Sequence, residues 1–457
     1  MLDANIRSIL MQVRDEAAGE GIQASFLLHH EKSHLMRIGN NSVSLNTSED
    51  LLRLDIVVTD GRRQGSQTFL GAVGSADTVR EVLASAREKA RLATPKTYQP
   101  IPDEVQVTVS EDSQFDIDLA DLDPAVKAGA YGGIFSELGE EYNYSGSWSS
   151  GAMEIYLLTT SNSNEAYHRG TDQLFSVVLK HPEKKWELTH QQTGWRAGDF
   201  DTGRTVAEIS KLLPAYENSP GYKVEPGEYT VLFGAPALAE IVEMAAWTGL
   251  SGRSWEEKQS WTAKSSPGQS ILGENISIAD DPGNPETFMF GFDNCGRKRR
   301  IFPLVGNGDL LSLMYDSGTA ARYGREPTGH DTGSPSLVMD TGFGPGDPLE
   351  AVMGMGRVLY IPALHYVNIP SRSKGIFTGS SRFNAVLVEN GEIVSPIFST
   401  RITDSFQNVL GNAAVISSRS ESVNGSNTYG RRTPVAMSVP SYMVSEGVKI
   451  TDSADSF

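Results

Sequence analysis

The chain has 457 residues, with 39 Lys plus Arg against 57 Asp plus Glu and a single cysteine. Its net charge of −18 argues against a surface for nucleic acid or for an anionic membrane, because both need clustered Lys and Arg. With 39% hydrophobic and 21% charged residues, the composition is that of a soluble globular protein with two or three domains. One cysteine rules out an internal disulfide. No apolar run approaches the roughly 18–20 residues that span a bilayer. The N-terminus has neither the basic region nor the contiguous apolar run of a signal peptide, so the expected location is cytoplasmic.

Along the chain, Leu2, Ile6, Ile9, Leu10 and Val13 share one face of an amphipathic helix. The period then switches to two. Ala24, Phe26 and Leu28 alternate with polar neighbours, and Leu54, Ile56 and Val58 do the same before Asp60-Gly61, a hairpin signal. Residues 77–93 return to helical spacing, and residues 94–104 carry three prolines and read as a linker or crossing segment. Asp123-Pro124 opens a further helix. Residues 150–180 read as strands and 203–213 as a short helix.

The Pro- and Gly-rich stretch 214–227 marks the main boundary, giving an N-terminal domain over 1–215 and a C-terminal domain over 226–457. The second half opens with a strand, 228–233, and a helix over 236–248. That helix is apolar almost all round apart from Glu240 and Glu243, so it is expected to be buried. From 265 onward the chain reads as strands with long loops. The fold class is α+β: helices on a sheet, then a strand-rich domain around a buried helix.

His30-Glu31-Lys32-Ser33-His34 fits H-E-x-x-H, which on a helix places two histidines for zinc and a glutamate as base. Here the motif follows an alternating run. In a strand the two histidines stand about 13 Å apart, too far to share one ion without a sharp bend. The reading taken is polar positions on a half-exposed strand. Asp116, Asp118, Asp121 and Asp123 lack the Gly and Glu of a calcium loop and read as a solvated loop. Cys295 reads as a non-catalytic thiol, and Lys298-Arg299-Arg300 as a solvated face or a local ion-pair site. No phosphate-binding loop, serine-hydrolase elbow or paired C-x-x-C occurs.

A resemblance narrows the function. Phe292-Asp-Asn-Cys-Gly296, Leu310-Leu-Ser-Leu-Met-Tyr-Asp-Ser-Gly-Thr-Ala320 and Tyr323-Gly-Arg-Glu-Pro-Thr-Gly329 come first. His365-Tyr-Val-Asn368, Phe377-Thr-Gly-Ser-Ser-Arg382 and Val386-Leu-Val-Glu-Asn-Gly-Glu-Ile-Val-Ser-Pro396 follow. In this order and spacing they resemble the TldD/PmbA family, also labelled modulator of DNA gyrase. That label does not imply contact with DNA for so acidic a chain. The family pairs two similar subunits. The TldD type is a zinc peptidase with H-E-x-x-x-H on the helix after the first strand of the C-terminal domain and a later cysteine ligand, and the PmbA or TldE type lacks those ligands.

By alignment, Glu243 and Thr248 stand at the histidine positions and Met244 at the glutamate, and no cysteine follows Gly411. The resemblance therefore implies a TldE-type subunit with no catalytic residue, cofactor or metal of its own, and with zinc in a TldD-type partner. The assembly is then a heterodimer, or a homodimer of this chain, around a cavity for peptides or for unfolded and leader segments. Glu243, His330, His365, Tyr366 and Arg382 are the candidate cavity-lining residues. For Glu243 a structural role, capping or pairing with an arginine, is set beside contact with substrate. Two alternatives stay open: a self-sufficient zinc peptidase using His30-Glu31-His34 or a ligand set unlike the family's, and a non-enzymatic peptide-binding homodimer.

Overall fold

The computed structural model describes residues 3–425, 431–433 and 435–457. Leu2, which opens the first amphipathic face, lies outside the described residues. The N-terminal half runs α1 (Ala4–Gly19), β1 (Gln23–Gly39), β2 (Ser42–Asp60), β3 (Arg63–Leu70), α2 (Ala76–Leu92) and β4 (Val109–Gln114). Then follow α3 (Ile117–Ala120), α4 (Pro124–Leu138), β5 (Asn143–Thr159), β6 (Glu165–Lys180), β7 (Glu187–Gly194) and α5 (Thr202–Asn218). Its strands form one sheet, in the order β3-β2-β1-β5-β6-β4, with β7 also on β6.

The C-terminal half begins with β8 (Gly227–Gly234), α6 (Ala235–Gly249) and α7 (Gly252–Glu256). It continues through β9 (Ile278–Asp280), β10 (Phe302–Gly306), β11 (Asp309–Leu310), α8 (Ser317–Tyr323), β12 (Leu337–Met339), β13 (Arg357–Ile361) and β14 (His365–Ser371). β15 (Ile376–Ser381), β16 (Val386–Glu389), β17 (Glu392–Pro396), β18 (Thr400–Ser405) and α9 (Phe406–Gly411) come next. β19 (Ala413–Ile416), β20 (Ser420–Asn424), β21 (Ala436–Pro440) and β22 (Tyr442–Ser453) complete the chain. One sheet has the order β11-β10-β9-β12-β21-β20; the other runs β14-β15-β18-β22-β8-β13-β16-β17, with β19 on β22. The fold is α+β.

Local chemistry explains the elements. Asp3, Ser75, Asp123 and Asp201 accept backbone N–H bonds at the starts of α1, α2, α4 and α5, satisfying donors that a helix leaves open at its first turn. Leu10, Val13 and Ala17 of α1 pack with Val79, Leu83 and Ala86 of α2 on the face of the sheet carrying Phe26, Leu28, Leu54 and Ile56. Residues two apart on a strand share a face, so the period-two runs of the sequence supply that floor.

α5 is longer than the 203–213 helix read from sequence, and runs to Asn218 with Pro214 inside it. A proline in a helix costs one backbone hydrogen bond. Here Leu212 and Tyr216 are buried on either side of it, and the Tyr216 hydroxyl donates to the Ala385 carbonyl at 2.9 Å. That anchoring carries the helix past residue 215. A core of Trp148, Phe175, Trp186 and Tyr216 packs against Val352, Val358, Val386, Tyr442 and Val444, so the two halves share buried surface. Among the described residues no helix is long and apolar enough to cross a membrane.

Candidate functional site

The site is built on α6. Its Ala- and Leu-rich sequence favours a helix, and Pro236 sits in the first turn, where a missing N–H costs nothing. Gly234 precedes it because a side chain there would meet the Pro362 backbone at 2.9 Å. The Ala237 N–H donates to the Pro362 carbonyl at 3.1 Å. At the other end Gly249 leaves room for the Trp261 ring, which would otherwise lie 2.2 Å from a Cβ, and Trp261 Nε1 donates to the Ala245 carbonyl at 3.2 Å.

Leu238, Ile241, Val242, Ala245 and Ala246 are buried against the core. The helix is nevertheless not covered all round, which corrects the expectation drawn from its composition. Glu240, Glu243 and Met244 are half-buried and Trp247 is 51% exposed. These four fall at i, i+3, i+4 and i+7, one stripe of the helix. Burial raises the Glu240 carboxyl, with the neighbouring Glu243 adding to it, and burial alone raises Glu243. No cation offsets either shift, so the arginine pairing considered for Glu243 is not formed among the described residues.

The segment from Pro362 to Arg372 follows this helix. Pro362 meets its first turn, and the Arg372 guanidinium lies 4.3 Å from the centre of the Trp247 ring. Between them runs β14, the edge strand of its sheet, whose residues alternate between half-buried and exposed. Here the structure gathers three of the sequence candidates. The His365 ring stands edge-on to Phe383 at 5.0 Å, and Arg382 Nη1 donates to the Tyr366 hydroxyl at 3.0 Å. Tyr366 is 74% exposed and holds a positive φ of 54°, a conformation uncommon for a bulky residue. Burial, then the charge of Arg382, lowers the His365 pKa, and its Nε2 is buried with no hydrogen-bond partner.

His330 lies elsewhere. It is buried beside Asp280, with Nε2 3.2 Å from Oδ2, and stands edge-on to Phe302. Asp280 is in turn paired with Arg299 at 2.7 Å, both almost fully buried. The middle residue of Lys298-Arg299-Arg300 is thus an internal ion-pair partner and not part of a solvated face.

H-E-x-x-H falls on β1, an extended strand. His30 Nε2 bonds Asp50 at 2.7 Å, His34 Nδ1 bonds Ser48 at 2.8 Å, and both residues pair across to β2. Glu31 points to the opposite face of the sheet and accepts the Arg432 N–H at 2.8 Å. The acidic residues at 116 and 123 serve as helix caps.

Cys295 sits with Asp293 and Asp331 in the one grouping of metal-type side chains found among the described residues. The carboxylates are engaged: Asp293 accepts the N–H groups of Cys295 and Arg297, and Asp331 accepts that of Ser317. Burial, then the charges of Asp103, Asp331 and Asp293, push the thiol far up.

Sequence reading missed two features because each needs partners far apart in the chain. Lys127 is buried and donates to Ser150 Oγ at 2.7 Å, and burial, then Arg432, brings its pKa down to about 7. Arg432 pairs with Asp172 Oδ1 at 2.5 Å and donates to Ser149 Oγ at 2.7 Å. Both the lysine and its serine are closed to solvent.

A zinc ion on α6 needs deprotonated N, S or O donors at about 2 Å. The helix Ala235–Gly249 contains no His or Cys. Thr248 is buried and its hydroxyl already donates to the Met244 carbonyl at 2.6 Å, leaving one carboxyl and one thioether. These residues do not fit zinc. What the stripe offers is a partly apolar, aromatic shelf with two half-buried carboxyls beside an edge strand.

Residues 226–452 match the model of the PmbA/TldA metallopeptidase C-terminal domain. A metalloprotease of Methanothermobacter thermautotrophicus is 28% identical over 158 residues, which span 32% of this chain and only 34% of that protein. The whole fold is similar to that of TldE from Thermococcus kodakarensis, with a TM-score of 0.80 at 17% identity over 98% of this chain and all of the other. A putative modulator of DNA gyrase from Thermotoga maritima gives 0.78 at 15% identity, over 97% of this chain and all of that one. A putative modulator of DNA gyrase from Bacteroides thetaiotaomicron gives 0.79 at 16%, over 99% of this chain and all of that one.

Proposed function

We propose that this chain, which belongs to the TldD/PmbA family, is the TldE-type subunit of a metallopeptidase complex. In this reading it shapes the peptide-binding cavity and leaves the zinc chemistry to a TldD-type partner. The observation that carries the proposal is α6. The helix that holds H-E-x-x-x-H in a TldD-type subunit presents Glu243, Met244 and a self-bonded Thr248 here, and H-E-x-x-x-H occurs nowhere in the sequence. Without a ligand set there is no Lewis acid, and with Met244 in place of the motif's glutamate there is no base at that position to activate water.

The Trp247 stripe, Arg372 and the β14 edge provide a surface suited to an extended peptide. A strand added to a sheet edge is held through its backbone, with little demand on side-chain identity. His365, Tyr366 and Arg382 border that edge, which supports a positioning role for them. Peptides, leader segments and unfolded segments are the substrates of this reading, and the partner completes the enclosure.

Two measurements on untagged protein test it. Elemental mass spectrometry of the isolated chain should find zinc near zero. Coexpression with a TldD-type subunit should give a complex on size exclusion that carries about one zinc per pair and cleaves peptides, while this chain alone does not. One zinc per isolated chain, or no complex with the partner, would overturn the reading.

A further inference from the structure

The open stripe of α6 lacks a partner of one specific kind. Glu240, Glu243, Met244 and Trp247 are the members of that helix left only partly covered. Among the described residues no hydrogen bond and no opposite charge compensates either carboxylate. Half-buried acids usually have such a partner, because burial disfavours their charged form. The thioether and the indole beside them supply none.

The indole points to what is missing. An aromatic face attracts a cation through its quadrupole, and here the chain provides one itself. The Arg372 guanidinium lies 4.3 Å from the centre of the Trp247 ring, carried there by the short turn Arg372–Lys374 at the end of β14. Arg372 does not compensate Glu240 or Glu243, so it covers the aromatic platform and leaves the acids unanswered. Residues four apart on a helix are neighbours, with Cβ atoms roughly 5–6 Å apart. A cation held against the Trp247 ring from the side of Glu243 therefore reaches that carboxylate as well, and Glu240 adds its charge from one turn back.

We infer that this stripe is a subsite for a lysine or arginine side chain of a bound peptide, with Trp247 as its platform, Glu243 as its counter-charge and Arg372 as an internal occupant that the peptide's cation displaces. The inference rests on the peptide surface proposed above and narrows it to segments that carry basic residues. An acidic side chain meets like charge here, and an apolar one gains the ring but leaves the carboxylates uncompensated. The net charge of −18 favours the approach of basic chains in the same sense. The ammonium at a peptide's own N-terminus shares this chemistry, and the test separates the two.

Calorimetric titration of the full chain with short, extended peptides rich in Val and Thr reads the subsite. The peptides are acetylated and amidated, and differ only in a central lysine, norleucine or glutamate. The lysine peptide should bind about tenfold tighter than the norleucine peptide, and the glutamate peptide more weakly than either. A norleucine peptide with a free N-terminus should gain nothing. Glu243→Gln is isosteric at a half-buried position, so it should fold as the parent does. It should abolish the lysine advantage and leave the norleucine affinity within about twofold. Arg372→Gln vacates the ring and should strengthen binding of the lysine peptide about threefold. Equal affinities for lysine and norleucine, or a lysine advantage that survives Glu243→Gln, would overturn the subsite while leaving peptide binding in place. So would weaker lysine binding by Arg372→Gln, or an equal gain from the free N-terminus. Failure of every peptide to bind would overturn the peptide surface together with the subsite.

Discussion

Arg299 shows how much one side chain can carry in an interior. Its Nη2 donates to both oxygens of Asp280 at 2.7 and 3.0 Å, and Nη1 donates to the Phe290 carbonyl at 3.1 Å. Burial alone would raise the Asp280 carboxyl, but His330 and Arg299 outweigh it and hold the pKa below the usual value. Replacing Arg299 with Met strands a buried carboxylate, which costs about 3–5 kcal/mol. Chemical denaturation should read a loss of that size at pH 7, and Arg299→Met with Asp280→Asn should recover part of it. The sign with pH follows from a depressed acid: the pair's contribution is complete above about pH 4 and is lost as pH falls through the lower folded value. A cost of Arg299→Met that shrank as pH rose toward about 4 would contradict this assignment. The Lys298-Arg299-Arg300 triplet reads as a solvated face or a local ion-pair site, and Arg299 takes the second of these in the interior. Its partner lies 19 residues upstream, and nothing in the spacing announces it.

At the scale of elements, periodic patterns carried most of the information. The faces of α1 and α2, the alternation in β1 and β2 and the Asp60-Gly61 hairpin stand in the structure where the sequence places them. What periodicity does not convey is closeness of approach. Gly65 of β3 looks like a mid-strand weakness, but a Cβ there would lie 2.1 Å from the Ala90 nitrogen and 2.4 Å from the Ala86 carbonyl oxygen. The strand and α2 touch backbone to backbone, which is why the helix presents alanines at 86 and 90. Gly65→Ala should therefore cost about 1–3 kcal/mol by overpacking, read as a lower urea midpoint with an unchanged slope. A loss under about 0.5 kcal/mol would mean that α2 can simply lift away. The open stripe of α6 escaped notice for the related reason that composition reports apolar character and not what covers it. Glu243 was visible as a polar break in an apolar run, while the approach of Arg372 to Trp247 was not.

At the scale of the whole molecule, the two halves are joined by more than their shared core. The crossing segment is pinned where the Glu104 and Gln106 N–H groups donate to the carbonyls of Cys295 and Gly296, at 2.9 and 3.1 Å. Arg432 enters the N-terminal sheet from the other end of the chain, where its carbonyl accepts the His29 Nε2–H at 2.8 Å. Contacts across some 400 residues leave no trace in local sequence, so the seam was illegible although both halves were legible. The seam also makes the protein acid-sensitive. Burial, followed by the charge of Arg431, brings His29 down to about 3. An unfolded histidine titrates near 6.5, so between those values the unfolded chain holds one more proton than the folded one. Stability must then fall as pH falls, by about 1.4 kcal/mol per pH unit for this group. His190, lowered by burial to about 4, adds to the slope, and His30, raised despite burial through its bonds to Glu154 and Asp50, opposes it. His29→Gln keeps an N–H donor for the Arg432 carbonyl and removes the titration. Urea midpoints measured from pH 6.5 to 4.5 should fall less steeply for this variant than for wild type, by about one proton's worth, while the two nearly coincide at pH 7.5. Parallel pH profiles would show that the seam opens before His29 is forced to choose a charge.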